Sequence, residues 1–179
     1  SRNFSFSTED SHSGLFRFTE LTRGVYRPKD GYFLRAESFY NTASEVDRLA
    51  SSPADPLYQS YGGKSLHHQS HGESFLSLVH NRFWGQGLYL LDEPEAALSP
   101  TRQLTLLAEI HRLVQEGSQL LIATHSPILM AYPQGEILLL GEGPIHPVGY
   151  RETEHYQITK QFLGNPERML KILFEEDHS

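Results

Sequence analysis

The sequence predicts an α/β fold, a parallel sheet flanked by helices, and three observations carry that expectation. Gly87-Leu88-Tyr89-Leu90-Leu91 and Gln119-Leu120-Leu121-Ile122-Ala123 are short continuous apolar runs, the pattern of buried parallel strands. Between them Leu106, Ile110, Leu113 and Val114 recur on one face of a helix. Strand, helix, strand is a βαβ unit, and such crossovers imply a parallel sheet covered by helices.

The elements follow in order. Residues 1–30 are Ser-rich, polar and poorly periodic, and are expected to be poorly ordered; only Leu15-Phe16-Arg17-Phe18 hints at structure. Gly31 to Phe39 reads as a strand from its aromatic content and leading glycine. Ser44 to Leu49 suggests a short helix. Ser51 to His71, rich in Ser, Pro, Gly, Tyr and His, reads as a long loop of the kind that is usually functional or mobile. Ser70 and Glu73 have capping-box spacing and open a helix in which Phe75, Val79 and Phe83 recur on one face beside Leu76. Ser99 supplies an N-cap and Pro100 the first position of the next helix, which stops at Gly117. Glu136 to Leu140 and Ile145 to Val148 resemble a hairpin around Gly141-Glu142-Gly143. Two amphipathic helices close the chain, one near Glu154 to Leu163 and one starting at Asn165-Pro166.

Composition narrows the function classes. At 179 residues the chain suits one domain with a sizeable core and is too short for two comfortable ones. No apolar run approaches the roughly 20 residues that span a bilayer, and the start is no signal peptide. Cysteine is absent, which removes disulfides, a thiol nucleophile and cysteine zinc sites, and fits a cytoplasmic protein. The net charge of −7 argues against a large nucleic-acid footprint, which needs clustered Lys and Arg. The ten histidines are scattered, with no His-x-x-x-His pair on a predicted helix beside a carboxylate.

The chemistry-bearing residues stand just beyond the C-terminal ends of the two apolar strands, where open α/β sheets bind ligands. Asp92 has the hard oxygens that Mg²⁺ takes in phosphate sites, and Glu93 is placed to orient and deprotonate a water. A solvated strand end is the alternative, and for a bare Asp-Glu pair it is the commoner one. His125 follows the second strand and can hydrogen-bond a phosphate or the attacking water; a histidine in such a place is more often structural. At Ser70-His71-Gly72-Glu73, backbone N–H groups at a helix start make a phosphate seat, or merely a helix cap.

Order and spacing together resemble the ABC-type ATPase superfamily, which includes transporter subunits, structural-maintenance-of-chromosomes proteins and related recombination and anti-phage ATPases. The family's Leu-Ser-Gly-Gly-Gln signature is matched by Gln69-Ser70-His71-Gly72-Glu73, and Walker B by Leu88-Tyr89-Leu90-Leu91-Asp92-Glu93-Pro94. Ala96-Ala97-Leu98-Ser99 falls at the D-loop and His125 at the switch histidine. The wording Asp-Glu-Pro-Glu-Ala-Ala-Leu-Ser looks closest to the soluble AAA-type, ABC-like ATPases. The resemblance covers about residues 31–150, with 66–130 its specific part.

It implies a P-loop NTPase-like (ABC ATPase) sheet, incomplete at the N-terminus, with residues 31–179 as the C-terminal part of one domain. It also implies ATP and Mg²⁺ as cofactors and a head-to-tail sandwich, either a homodimer or a paired ATPase subunit. In that sandwich Asp92 binds Mg²⁺, Glu93 is the base and His125 stabilises the transferring phosphoryl group. Ser70, Gly72 and Glu73 act in trans on the partner's ATP. Glu37 is either the Q-loop residue that senses Mg²⁺ and water or an exposed strand-end carboxylate. Two positions depart from the family pattern: His71 replaces the first signature glycine, and Ser99 replaces the usual D-loop Asp.

The phosphate-binding Gly-x-x-x-x-Gly-Lys-[Ser/Thr] is missing. Gly62-Gly63-Lys64-Ser65 is the sole candidate, but Tyr58 stands where the first glycine belongs, no apolar strand precedes it and no helix pattern opens before Ser70. The expectation is a P-loop before Ser1, in a truncated, fragmentary or split reading frame. The expected function is an ATP-binding and ATP-hydrolysing domain, inactive as an isolated chain. The alternative is a non-catalytic regulatory module that docks on a complete ATPase subunit. A Mg²⁺-dependent nuclease or phosphatase needs further carboxylates, and only Glu37 and Glu95 offer themselves. A sheet without strands before Ser1 would expose an edge and apolar surface, giving a poorly soluble monomer or an oligomer.

Overall fold

The structure, a computed structural model, describes residues 17–20, 22, 24, 25, 27–36, 39, 70–141 and 143–175. Strand β1 (Asp30–Arg35) lies parallel to β2 (Gly87–Asp92), and β2 parallel to β3 (Gln119–Ala123), in the spatial order β1-β2-β3. The predicted strand from Gly31 to Phe39 is thus shorter at its end. Arg35 pairs with Asp92, the last residue of β2, so no ladder partner continues beyond it. The short helix expected at Ser44–Leu49 and the loop up to residue 69 lie outside the described residues, as do residues 1–16 of the N-terminal segment.

Two helices cover one face of the sheet. Helix α1 (His71–Arg82) contributes Phe75, Leu78 and Val79, with Phe83 just past its end, and α2 (Pro100–Gln115) contributes Leu106, Ile110 and Leu113. These pack on Leu34, Tyr89 and Leu91 from the strands. Tyr89 is fully buried and stacks on Phe83 with ring centroids 4.2 Å apart. Its hydroxyl accepts from the Trp84 N–H at 3.1 Å and donates to Asp30 Oδ2 at 3.1 Å. Burial, and then the Asp30 carboxylate, raise the Tyr89 pKa above its ordinary value. Asp30 is also held by Arg82 at 2.9 Å.

Helix α2 is delimited as the sequence predicts. Ser99 accepts from the Arg102 N–H, Pro100 occupies the first helical position, and the helix closes in a Schellman motif. There Gly117 sits at φ 81, its N–H bonding Val114 O while Ser118 N–H bonds Leu113 O. The left-handed conformation suits a residue without Cβ.

Both strands, which continuous apolar runs predict to be buried, are covered on one side only by the described residues. Burial alternates along β2, and β3 has no fully buried residue. Because α1 and α2 pack on the same face, no described element covers the opposite one. Phe33, Leu90 and Leu121 form one cross-strand row on it, Phe33 50% and Leu121 62% exposed.

Beyond β3 come a short helix, α3 (Pro127–Met130), and the expected hairpin, β4 (Leu138–Leu139) antiparallel to β5 (His146–Pro147). Helices α4 (Glu154–Gly164) and α5 (Pro166–Glu175) follow, packed on each other, with α4 also against α3.

Candidate functional site

The site is built where β2 and β3 end. The ladder runs one residue past β2, because Glu93 N–H donates to Ala123 O at 2.9 Å. At that point the backbone turns: Glu93 adopts φ 49, ψ 50, a left-handed conformation that costs a residue with a Cβ about 1–2 kcal/mol. A 3-10 turn, Pro94–Ala97, follows at once, with Pro94 buried. Strain of this kind persists where surroundings fix it and is common at working sites.

The turn aims Glu93 at the loop after β3. Glu93 Oε1 lies 3.5 Å from His125 Nε2, both side chains largely exposed. The neighbouring Glu95 reaches the same loop from below, its Oε1 accepting the His125 backbone N–H at 2.6 Å. The second oxygen, Oε2, is buried without a hydrogen-bond partner. Ser126, buried, donates to Gln103 Oε1 at 2.5 Å and accepts from the N–H groups of Ile128 and Leu129. Gln103 in turn donates to Leu98 O at 3.2 Å, so one side chain of α2 ties the end of the turn to the histidine loop.

Asp92 and Glu93 diverge. Asp92 Oδ2 accepts from Arg35 Nε at 2.6 Å, across the β1–β2 pairing. The ion pair is half exposed on the Arg35 side, and pairs of that kind contribute about 0–1 kcal/mol. Asp92 Oδ1 has no partner among the described residues. A hard carboxylate oxygen that is free fits Mg²⁺, which needs only one or two protein oxygens when phosphate supplies others. Among the described residues no three His, Asp or Glu are placed to hold a metal by themselves, so the nuclease reading lacks its carboxylate cluster there. Glu37 lies outside the described residues.

Ser70 to Glu73 begin α1, on the far side of the turn. Glu73 accepts both the Ser70 N–H at 2.9 Å and the Ser70 hydroxyl at 2.8 Å, and pairs with Arg102 at 3.0 Å. The Ser70 bonds, and then Arg102, hold its carboxyl below the ordinary range, so Glu73 is ionised at neutral pH. The Ser70 hydroxyl is therefore committed to Glu73 as a donor. Gly72 is buried, and its missing side chain is accounted for by packing. A Cβ there would lie 2.9 Å from Ala97 O and 2.8 Å from Arg102 Cδ. The space that a side chain at Gly72 would take is filled by the chain's own turn and by Arg102.

Sequence reasoning thus names Asp92, Glu93 and His125 and misses their supports. Arg35 is invisible until β1 is registered against β2, and Gln103 looks like any polar helix residue. Glu95 registers only as a spare acid. His155, on α4, stands with Nε2 3.0 Å from His125 Nδ1, and nothing in its local sequence marks it. Two concave patches among the described residues lie elsewhere, at Arg151, Tyr156 and Lys160 and at Lys29, Trp84 and Glu116. Glu93 and His125 are largely exposed at the C-terminal ends of β2 and β3.

Residues 74–131 match the family described as "AAA domain, putative AbiEii toxin, Type IV TA system". The chain is 34% identical over 114 residues to a hemin import ATP-binding protein of Pseudomonas aeruginosa, across 60% of this chain and 43% of the relative. It is 30% identical over 135 residues to an uncharacterized ABC transporter ATP-binding protein of Haemophilus influenzae, across 74% of this chain and 49% of the relative. The chain spans less than half the length of either. No solved structure matches it.

Proposed function

We propose that this chain, an ABC ATPase-like domain with a P-loop NTPase-like parallel sheet, supplies the catalytic edge of a composite ATP-hydrolysing site. The observation that carries the reading is the Glu93–His125 pair, a carboxylate and an imidazole brought to 3.5 Å at the ends of adjacent parallel strands. The ATP-binding character of the two relatives supports ATP as the ligand.

In this reading Glu93 orients a water and takes its proton as the bond to the γ-phosphorus forms. His125 Nε2 carries a proton toward the phosphoryl oxygens, on which negative charge is spread in the transition state. Asp92, through Oδ1, is the residue that would hold Mg²⁺, which would supply positive charge against the phosphate oxygens. Arg35 holds Asp92 in place before that. The start of α1, with Ser70, Gly72 and Glu73, faces the ATP of a second, head-to-tail domain. Gly72 serves there by keeping α1 close to the turn that bears Glu93. The phosphate-cradling loop comes from residues other than Ser1–Ser179 or from a partner.

The reading is tested on the native assembly isolated through this chain. Glu93→Gln is expected to lower the kcat for Mg-ATP about 100-fold or more, the scale of general-base catalysis, and to accumulate an ATP-bound dimer in sizing chromatography. Unchanged hydrolysis and no trapped dimer would overturn it. That outcome belongs to the second reading, a non-catalytic module docked on a complete ATPase, which the exposed Phe33 and Leu121 on the open sheet face favour.

A further inference from the structure

His125 is held at three atoms, and one of its holders, His155, comes from an element that the catalytic reading does not use. Its backbone N–H goes to Glu95 Oε1 at 2.6 Å, and its Nε2 faces Glu93 Oε1 at 3.5 Å. Its Nδ1 lies 3.0 Å from His155 Nε2, with ring centroids 5.1 Å apart and the planes inclined at 34°. At that separation the two nitrogens share a single proton as N–H···N, one donating and the other accepting.

The surroundings decide which. A carboxylate only accepts, so the nitrogen of His125 that faces Glu93 is the one that gains by carrying a proton. With the proton on Nε2, Nδ1 of the neutral ring is an acceptor, and His155 Nε2–H must be the donor. The position of His155 is itself fixed. It lies in the first turn of α4, whose N-cap Thr153 is buried; Thr153 Oγ1 accepts from Tyr156 N–H and donates to Tyr150 O at 2.8 Å. Helix α4 also packs on α3, which begins directly after the histidine loop.

We propose that His155 is a positioning residue for His125: its Nε2–H donates to Nδ1, holds the ring in the Nε2–H tautomer and aims that N–H at the Glu93 side of the site. A ring nitrogen's partner sets which tautomer is present and which way the other nitrogen points. A ring held this way meets a phosphoryl oxygen already oriented, with no tautomer exchange at the moment of reaction. Helix α4 becomes part of the site although it bears no group that touches the reacting atoms. The functional side of the proposal rests on His125 acting on a phosphoryl group; the hydrogen bond itself does not.

The test therefore has two arms. In the first, the full chain is labelled with ¹⁵N in its histidine rings and examined without nucleotide at about pH 8, above the ordinary imidazole range. A through-bond ¹⁵N–¹⁵N coupling between His155 Nε2 and His125 Nδ1, with the proton on His155, is expected. In His155→Ala the coupling disappears and the His125 ring signals move to those of an exchanging mixture of tautomers. His155→Gln, whose amide N–H can also donate, restores the single tautomer. Absence of the coupling together with His125 signals unmoved by His155→Ala would overturn the proposal, as would a proton found on His125 Nδ1. Backbone amide spectra of both variants report whether the fold is kept, and His155→Gln decides if the alanine variant unfolds.

In the second arm, Mg-ATP hydrolysis by the native assembly carrying His155→Ala is expected to fall about 10- to 100-fold in kcat, the usual scale for loss of an outer hydrogen-bond partner. KM changes little and His155→Gln recovers the rate. A rate unchanged by His155→Ala in an assembly that does hydrolyse ATP would remove its functional side. An assembly that hydrolyses nothing even as wild type counts against the ATPase reading alone, and the first arm still decides the hydrogen bond.

Discussion

Adding one methyl group at Gly72 separates a packing role for this residue from a ligand-approach role. In Gly72→Ala the new Cβ would stand 2.8 Å from Arg102 Cδ, 2.9 Å from Ala97 O and 3.0 Å from Arg102 Nη1. Arg102 can swing aside, at the expense of its 3.0 Å pair with Glu73. Ala97 O cannot, because it is backbone in the turn that carries Glu93. Helix α1 and the turn must then part by a few tenths of an ångström. Overpacking of this kind costs about 1–3 kcal/mol, against which alanine in place of glycine in a helix returns about 0.5–1 kcal/mol. Gly72 is the second residue of its helix, so the return is at the low end and the net expectation is a loss of about 0.5–2.5 kcal/mol. For a chain of this size that lowers Tm by roughly 1–10 °C, at about 2–4 °C per kcal/mol. Thermal unfolding followed by circular dichroism reads it, with no nucleotide present. The double variant Gly72→Ala, Arg102→Ala relieves the side-chain contacts and keeps the backbone one, so it should remain less stable than Arg102→Ala alone. A Tm unchanged or raised by Gly72→Ala would refute the reasoning, since the methyl would then have found room that the geometry denies.

Two further outcomes follow from the same structure. Leu121→Lys, on the open sheet face, should leave stability within about 0.5 kcal/mol, as surface changes do, while reducing self-association of the isolated chain in sizing chromatography; a drop of several kcal/mol would mean that the face is covered. At Glu109, burial pushes the carboxyl up, but hydrogen bonds from His80 and Arg112 outweigh it and hold it below 4.5. A carboxyl lowered by folding contributes stability that is fully present above its unfolded value and is lost as pH falls through the folded one. Glu109→Gln should therefore cost up to about 1 kcal/mol at pH 7, and the gap between wild type and variant should close as the pH drops below 4.5. Denaturant melts at a series of pH values check it, and a gap that widens toward acid would reverse the assignment.

The elements most legible in the sequence are those with local, redundant signals. Ser99-Pro100 and Gly117 bracket α2 because capping, a fixed φ and a left-handed stop each act within one turn of chain. Asp92, Glu93 and His125 are legible for a related reason: each follows a short apolar run, so periodicity alone delivers them to a sheet end. What could not be read depends on register and on distance along the chain. The Arg35–Asp92 pair exists because β1 ends level with β2. The contact of His155 with His125 depends on how α4 docks, which no local pattern encodes. Burial is not legible in the sequence, for a different reason. An apolar run signals a strand, but it does not say on how many faces helices will lie, and here α1 and α2 take the same one.

The contacts around the 3-10 turn also limit how the site can move. Gly72 abuts Ala97 O, Glu95 grips the backbone of His125, and Gln103 bridges Leu98 O and Ser126. The start of α1, the turn after β2 and the loop after β3 are therefore joined in series, with the turn as the shared link. A surface that grips the start of α1 stiffens the histidine loop across the turn. Because linkage is reciprocal, a ligand that orders the histidine loop tightens the hold on that surface by the same free energy.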